Sequence, residues 1–270
     1  MTFGVIGLGV VGNCYRRWLE NKGETFGYDI KGEGSMDDVN KADVIFVCVN
    51  TPFDISAGRL NTTFVEKSVH GISGSKTVVV CSTVPIGTCT SLANTYPQHV
   101  ILHNPEFLRA KTAWEDFTYP LRQVVGLVRA ADRNIAGDVM LMLPYCDHSC
   151  VVRTDVSELV KLSSNLLLAV RIAAAQQVMC LAGAKGEQVA NILAVDPRIG
   201  AYGFDCSEQF GYAGRCLPKD VKAFLRECSD AGSETDWMEE MDKENEKTLV
   251  SQGLKPDYGW PEKLGEGENG

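Results

Sequence analysis

Through the first half of the chain, short runs that are almost wholly apolar alternate with stretches in which apolar residues return every three or four positions. The apolar runs fall at 3–6, 25–29, 44–49, 77–81, 100–103 and 124–127, each of strand length. The stretches at 10–21, 62–72, 87–96 and 131–143 carry the helical period. A strand without polar alternation is buried on both faces, and intervening helices supply the layers that bury it. The pattern predicts an α/β fold: a doubly wound parallel sheet with helices on both sides.

Near residue 156 the rhythm changes. Positions 156–184 read as one long helix rich in Leu, Ala and Val, with Asp155 and Ser157 as candidate N-terminal caps. A helix at 187–193 follows, then an irregular loop at 196–217 with glycines and aromatics. A further helix is predicted from Pro218, because proline at a first helical position lacks only a donor that would have been unpaired. A charged helix spans 236–249, and 251–270, poor in apolar residues, reads as a disordered tail. The predicted organisation is a sheet domain over 1–155, a smaller all-helical domain over 156–250, and that tail.

Composition narrows the function classes. With 44% hydrophobic and 23% charged residues, the 270-residue chain has the make-up of a soluble globular protein. A net charge of -9 without a Lys/Arg run argues against nucleic-acid affinity. Ten scattered cysteines, with no CxxC, point away from a disulfide framework or a metal site and towards a reducing, cytoplasmic setting. The first strand begins too close to Met1 to leave room for a signal peptide. The longest apolar stretch is interrupted by Lys161, Asn165, Arg171, Gln176 and Gln177, which argues against a membrane span.

Candidate chemistry begins at Gly7-Leu8-Gly9-Val10-Val11-Gly12, between a predicted strand and a predicted helix. The first glycine permits a tight turn, the second lets the backbone reach a pyrophosphate, and the third allows close helix–strand packing. Asp29, ending the second strand, suits both ribose hydroxyls and repels a 2′-phosphate, so the set predicts NAD rather than NADP. Lys31 is a base just beyond it, at the adenosine or in solvent. Thr51-Pro52 and Ser82-Thr83-Val84-Pro85 end two more strands, where an open sheet binds ligand. Glu106, after the next strand, is a candidate base or water holder, or else a solvated carboxylate.

Lys161 and Asn165 lie four apart and share one face of the long helix. Buried there, they need partners, and an oxyanion formed on a substrate is one. The alternative is a surface pair of Lys161 with Glu158 or Asp155. Cys216 closes the segment Phe210-Gly211-Tyr212-Ala213-Gly214-Arg215 and precedes the Pro218 helix. At the positive end of a helix the thiolate is favoured. The alternative is a small buried apolar residue.

With these residues in hand, the chain resembles the UDP-glucose/GDP-mannose dehydrogenase family, and within it the bacterial members that oxidise UDP-glucose. The motifs are Gly7 to Gly12, Val49-Asn50-Thr51-Pro52, Ser82 to Pro85, Asn104 to Arg109, Glu158 with Lys161 and Asn165, Asp196 to Gly200, and Phe210 to Asp220. The resemblance implies a Rossmann-type domain followed by a helical central domain whose long helix, 156–184, forms a homodimer. It implies oxidation of a nucleotide-sugar C6 alcohol to the uronate, UDP-glucose to UDP-glucuronate, with two NAD, for polysaccharide biosynthesis. Cys216 is then the nucleophile, through a thiohemiacetal and a thioester. Lys161, Asn165 and Asp220 stabilise oxyanions and position water, and Glu106 and Thr83 hold the hydrolytic water. Gly7, Gly9, Val11, Gly12, Asp29, Lys31, Thr51, Pro52, Thr83 and Lys219 contact the cofactor. Glu106, Phe107, Leu108, Arg109, Lys161, Asn165, Arg198, Phe210, Ala213, Gly214 and the loop 205–209 contact the substrate, Arg198 from the neighbouring subunit.

The family pattern also includes a third, nucleotide-clamping domain, which is not found in this sequence. An acidic residue usual after Arg109 is Ala110, and the usual Gly-Gly before the thiol is Ala213-Gly214, with Arg215 next to Cys216. Two other readings stay open: a one-step 3-hydroxyacid-type dehydrogenase, which needs no thiol, and a catalytically weak NAD-binding regulatory protein.

Overall fold

The computed structural model describes residues 1–205 and 209–260. Two compact units divide the chain. The first holds Met1–Thr51 and Asn61–Lys161; the second holds Pro52–Leu60 and the chain from Leu162.

The first unit is an eight-stranded sheet of β1 (Phe3–Ile6), β2 (Thr25–Asp29), β3 (Glu33–Gly34), β4 (Val44–Val47), β7 (Thr77–Val80), β8 (Val100–His103), β9 (Gln123–Leu127) and β10 (Ser149–Arg153). Its order is β10-β9-β8-β7-β4-β1-β2-β3. Pairings from β2 through β8 are parallel, with Phe3 facing Thr25 on one side and Val44 on the other. The six predicted strands are present. Alternate residues feed two cores. Val5, Phe46, Val79, Leu102 and Val125 face α1 (Val10–Leu19), α5 (Ala113–Thr118) and α6 (Arg133–Met142). Ile6, Ile45, Val47, Val78, Val80 and Ile101 face α2 (Met36–Val39), α3 (Thr63–His70) and α4 (Thr88–Thr95). Burial on both faces is why the strands carry no polar alternation.

The sheet departs from the parallel prediction at both edges: the short β3 pairs antiparallel with β2, and the other edge reverses at β9. β9 runs antiparallel to β8, pairing Leu102 with Leu127, and β10 follows β9 in parallel. The connection 104–122 therefore begins and ends at the same edge of the sheet and contains only a 3-10 turn at Ala110–Thr112 and the short α5. A parallel return would have required a helix running the full sheet depth. The two-residue β3 is too short to carry a strand signal, and β10, Ser-Cys-Val-Val-Arg, is largely exposed and has polar residues at both ends.

The second unit contains most of α7 (Thr154–Ala182), with α8 (Gly186–Leu193), α9 (Leu217–Asp230) and α10 (Asp236–Ser251). It is not wholly helical. The ribbon β5 (Phe53–Asp54) and β6 (Arg59–Leu60) packs Phe53 and Leu60 against Leu162 and Ala223. This ribbon lies far from the unit in sequence, so a boundary drawn near 155 misses it. Leu166, Ala169, Tyr212, Val221 and Met238 form the unit's other core. Asp155 sits inside the first turn of α7 and Ser157 is buried within it, so neither is the flanking cap predicted.

The run Thr154–Leu193 is long and apolar enough to cross a membrane by length and composition. Its Ser157, Glu158, Lys161 and Asn165 are instead buried and hydrogen-bonded to protein groups, as in a packed helix. The predicted disorder is also corrected over 251–260: Ser251 ends α10, and Gln252, Tyr258 and Trp260 make side-chain hydrogen bonds. Residues 261–270 lie outside the described residues.

Leu102 is fully buried between β7 and β9. Leu102→Ala is expected to cost about 2–5 kcal/mol, read as a lowered urea midpoint. A loss below about 1 kcal/mol would show that this part of the sheet is not a packed core.

Candidate functional site

In the first unit, the candidate groups gather at the carboxyl edge of the parallel strands. Gly7 has φ +89°, and a Cβ there would lie 2.8 Å from the Cys48 carbonyl oxygen. A Cβ on Gly12 would lie 1.8 Å from the Gly7 carbonyl oxygen. Both glycines are therefore required by close approach within the turn. Gly9 differs: a Cβ there would meet nothing within 4 Å. It opens α1 without a side-chain cap, and no acidic residue occupies the first turn, so the positive helix end faces open space suited to an anion. Asp29 is fixed beside it, with Oδ2 accepting from Leu8 N at 2.8 Å and Oδ1 from Lys31 N at 2.9 Å. Val11 is half-buried and the Lys31 side chain is exposed. These residues fit a dinucleotide, the pyrophosphate at Gly9 and the ribose at Asp29.

Neighbouring strand ends are cross-tied. The Thr51 hydroxyl donates to Thr83 O at 2.6 Å, and that of Ser82 to Val49 O at 2.6 Å. After β8, Tyr15 donates to Asn104 Oδ1 at 2.6 Å, and Asn104 Nδ2 donates to Val124 O at 2.8 Å. Glu106 follows. Its Oε2 accepts from Leu108 N at 2.8 Å, while Oε1 and its carbonyl accept from Lys161 Nζ at 3.0 and 2.7 Å. Glu106 is thus paired with Lys161, not solvated. Neither alternative partner of Lys161 is used. Glu158 is wholly buried and accepts from Gly87 N at 2.6 Å and Cys89 N at 2.9 Å, capping α4, and Asp155 pairs with Arg153. Burial raises the Glu158 carboxyl above its ordinary range, opposed by those two backbone donors.

Glu158, read from the sequence as part of the Lys161 and Asn165 motif, takes a role that motif did not indicate, the capping of α4. One side chain here went unpredicted as part of the site. His103, at the end of β8, is fully buried, and burial chiefly pushes it down to about 3, so it is neutral. Its Nδ1 lies 2.8 Å from the Ser157 hydroxyl, which also lies within hydrogen-bond distance of Thr154 O. A histidine beside Asn104-Pro105 was the available signal.

In the second unit, Cys216 is exposed at the N-cap position of α9, with Pro218 in the first turn. It is not the buried apolar residue of the alternative reading. One turn on, Asp220 is fully buried, and its two oxygens accept from Lys219 Nζ and Asn165 Nδ2, each at 2.5 Å. Before the thiol, the Phe210 backbone is bracketed by the Gln252 amide, and Tyr212 by Asn245. Gly214 has φ +76° with open space beyond its Cα, and Ala213 is half-buried. Pro52 is buried in the same unit.

The predicted substrate contacts are distributed differently. Phe107 is half-buried, its ring 3.9 Å from the Arg122 guanidinium, and Leu108 is half-buried. Arg109 binds Asp116 through two nitrogens, at 3.0 and 2.6 Å. Arg198 is exposed and paired with its loop neighbour Asp196. Of the loop 205–209, residues 206–208 lie outside the described residues.

Two family models match the chain. The NAD binding domain of the UDP-glucose/GDP-mannose dehydrogenase family matches residues 26–141, and the central domain of that family matches 155–247. A UDP-glucose 6-dehydrogenase of Rhizobium meliloti is 33% identical over 71% of this chain and 47% of its own length. One from Campylobacter jejuni is 32% identical over 68% and 48%. The chain thus spans about half the length of the curated relatives it matches. The solved UDP-glucose dehydrogenase of Pyrobaculum islandicum superposes with a TM-score of 0.80 at 27% identity, covering 91% of this chain and 68% of that one. A UDP-D-ManNAc dehydrogenase of Pyrococcus horikoshii, 19% identical with a TM-score of 0.81 over 94% of this chain and 70% of its own, shares the fold. The NAD-binding match indicates NAD as the cofactor, in agreement with the glycine turn, which precedes the matched stretch.

The Arg109 guanidinium holds the Asp116 carboxyl down from 3.8 to about 2. A lowered value contributes stability that is complete above the ordinary carboxylate range and is lost as pH falls towards about 2. Asp116→Asn is expected to lower the urea midpoint at about pH 6 slightly, Arg109 being exposed, and to converge with the parent near pH 2. A difference that stays constant with pH rejects the pairing.

Proposed function

The chain belongs to the UDP-glucose/GDP-mannose dehydrogenase family, and on that premise we propose that it oxidises a nucleotide-sugar C6 alcohol to the carboxylate, with UDP-glucose as substrate. The observation that carries this reading is the exposed Cys216 at the head of α9, one turn before Asp220 with its Lys219 and Asn165 partners. An exposed thiol at a helix N-terminus, followed by a buried and fully hydrogen-bonded carboxylate, is suited to covalent chemistry on a carbonyl.

NAD, when bound, accepts the hydride lost at each of the two oxidations. It is held by Gly7, Gly9, Val11, Gly12 and Asp29, with Lys31, Thr51, Pro52, Thr83 and Lys219 as further contacts. The chain's own residues do the rest. The Cys216 thiolate adds to the aldehyde carbon, forming a C–S bond and an oxyanion that takes a proton as the thiohemiacetal. Oxidised, this adduct is a thioester, and water adds to its carbonyl carbon. The C–S bond then breaks, leaving the carboxylate and returning the thiol. Lys161 and Asn165 supply N–H donors to the oxyanions, and Glu106, held by Lys161, holds the water with Thr83. Phe107, Leu108, Phe210, Ala213 and Gly214 line the sugar nucleotide, and Arg109 and Arg198 are its cationic contacts.

Covalent capture lets one site perform two oxidations without releasing an aldehyde. Incubated with UDP-glucose and NAD, the chain is expected to form about two NADH per sugar, with a Cys216 adduct detectable by mass spectrometry. Cys216→Ser is expected to abolish acid formation; undiminished turnover in that variant removes the thiol mechanism.

A homodimer through the long helix is part of the same reading. Leu159, Leu167, Leu181 and Ile192 are exposed along α7 and α8, an apolar face that a second copy would cover. Sedimentation velocity is expected to give twice the chain mass, and Leu167→Asp with Leu181→Asp to give the monomer. A monomeric parent chain refutes the dimer.

A further inference from the structure

The stretch 254–260, read from composition as disordered, is attached at several points to the thiol-bearing part of the second unit. Phe53 N donates to Tyr258 O at 2.8 Å, and Trp260 Nε1 donates to Phe53 O at 3.0 Å, so both backbone polar groups of Phe53 are taken. The Tyr258 hydroxyl donates to Glu246 at 2.6 Å. Lys222 lies 2.8 Å from both Glu246 and Asp242, and Asp242 accepts from the Tyr212 hydroxyl at 2.7 Å. A continuous polar chain thus joins the stretch to the residue four places before the thiol. Asp257 Oδ2 lies 3.3 Å from Nε of Arg215, the residue directly before Cys216. Gly259 has φ +81°, and a Cβ there would lie 3.0 Å from Lys219 Cδ and 3.5 Å from Pro52 Cα.

The apolar part of this attachment is Tyr258, which packs against Phe53, Leu60, Leu162 and Ala223, while Leu254 and Trp260 remain exposed. Polar contacts and one glycine approach bring the stretch to Arg215 and Lys219, which flank Cys216 on either side. We propose that 254–260 is a positioning strap for the thiol turn, in which Asp257 is the positioning residue that holds Arg215 and offsets its charge beside the sulfur. The proposal rests on the nucleophilic role given above to Cys216. On α9, one turn on, Lys219 and Asp220 are paired with each other.

The test reads thiol reactivity and needs no turnover. Cys216 alkylation by iodoacetamide is followed by peptide mass spectrometry in the full chain, with the exposed Cys150 and Cys180 as internal controls. Asp257→Asn leaves the Arg215 charge unopposed by this carboxylate. Alkylation of Cys216 at low salt is expected to rise about two- to fivefold, the range of an exposed ion pair. The gain is expected to shrink at about 0.5 M salt, and Asp257→Glu to restore the parent rate. An unchanged Cys216 rate in Asp257→Asn overturns the proposal. So does an equal rise at Cys150 and Cys180, which reports general loosening. A chain that responds in this way but oxidises no nucleotide sugar keeps the strap and loses the assigned function; turnover without the response does the reverse.

Discussion

A polar side chain buried on an apolar helix is tolerated only where it finds a partner, and α7 meets that condition at four positions within its first three turns. Ser157 takes His103, Glu158 takes the backbone donors at the start of α4, Lys161 takes Glu106, and Asn165 takes Asp220. These partners come from a strand end, a helix terminus, a loop and a second helix. A one-residue slip of α7 would strand all four groups, each at a cost of several kcal/mol as an order of magnitude. The register of the helix is therefore set by its polar groups, while its apolar residues supply most of the burial. The same helix serves both units, the first as far as Lys161 and the second from Leu162.

Three helix N-termini receive three different treatments. At α4 the protein supplies its own anion, the Glu158 carboxylate, and that terminus is closed to ligands. At α1 the cap is Gly9, with no acidic residue in the first turn and open space beyond its Cα, so the terminus remains available for a phosphate. At α9 the cap position holds the Cys216 thiol. A macrodipole of similar strength thus serves structure in the first case, cofactor binding in the second and nucleophile activation in the proposed third. The residue at the cap decides which.

The thiol turn is rigid on its flanks. Tyr212 is tied through its backbone to Asn245 and through its hydroxyl to Asp242, and α9 is tied to α10 through Lys222. Gly211 leaves room for the Asn245 side chain, which a Cβ would meet at 2.8 Å. Gly214, nearer the sulfur, meets nothing. Firm anchors around a short open turn suit a nucleophile that must be held in place yet remain reachable by a substrate.

The strand–helix alternation, the glycine turn with Asp29, the long helix and the thiol before a proline-led helix were all legible in the sequence. Each is encoded within a few neighbouring residues, by apolar period, by a backbone requirement for glycine, or by an end signal. The direction of β9, the partner of Lys161, the capping of α4 by Glu158 and the neutral His103 were not legible. Each depends on residues tens of positions apart becoming adjacent, which no local pattern records. The ribbon 53–60 and the stretch 254–260 show the same limit: their short polar sequences carry no period, and only their mutual contact in the folded second unit gives them structure. The sequence alone determined the kinds of elements and the candidate chemistry. The tertiary structure decided which buried charge meets which partner, because desolvated groups must be satisfied wherever the chain brings a donor and an acceptor together.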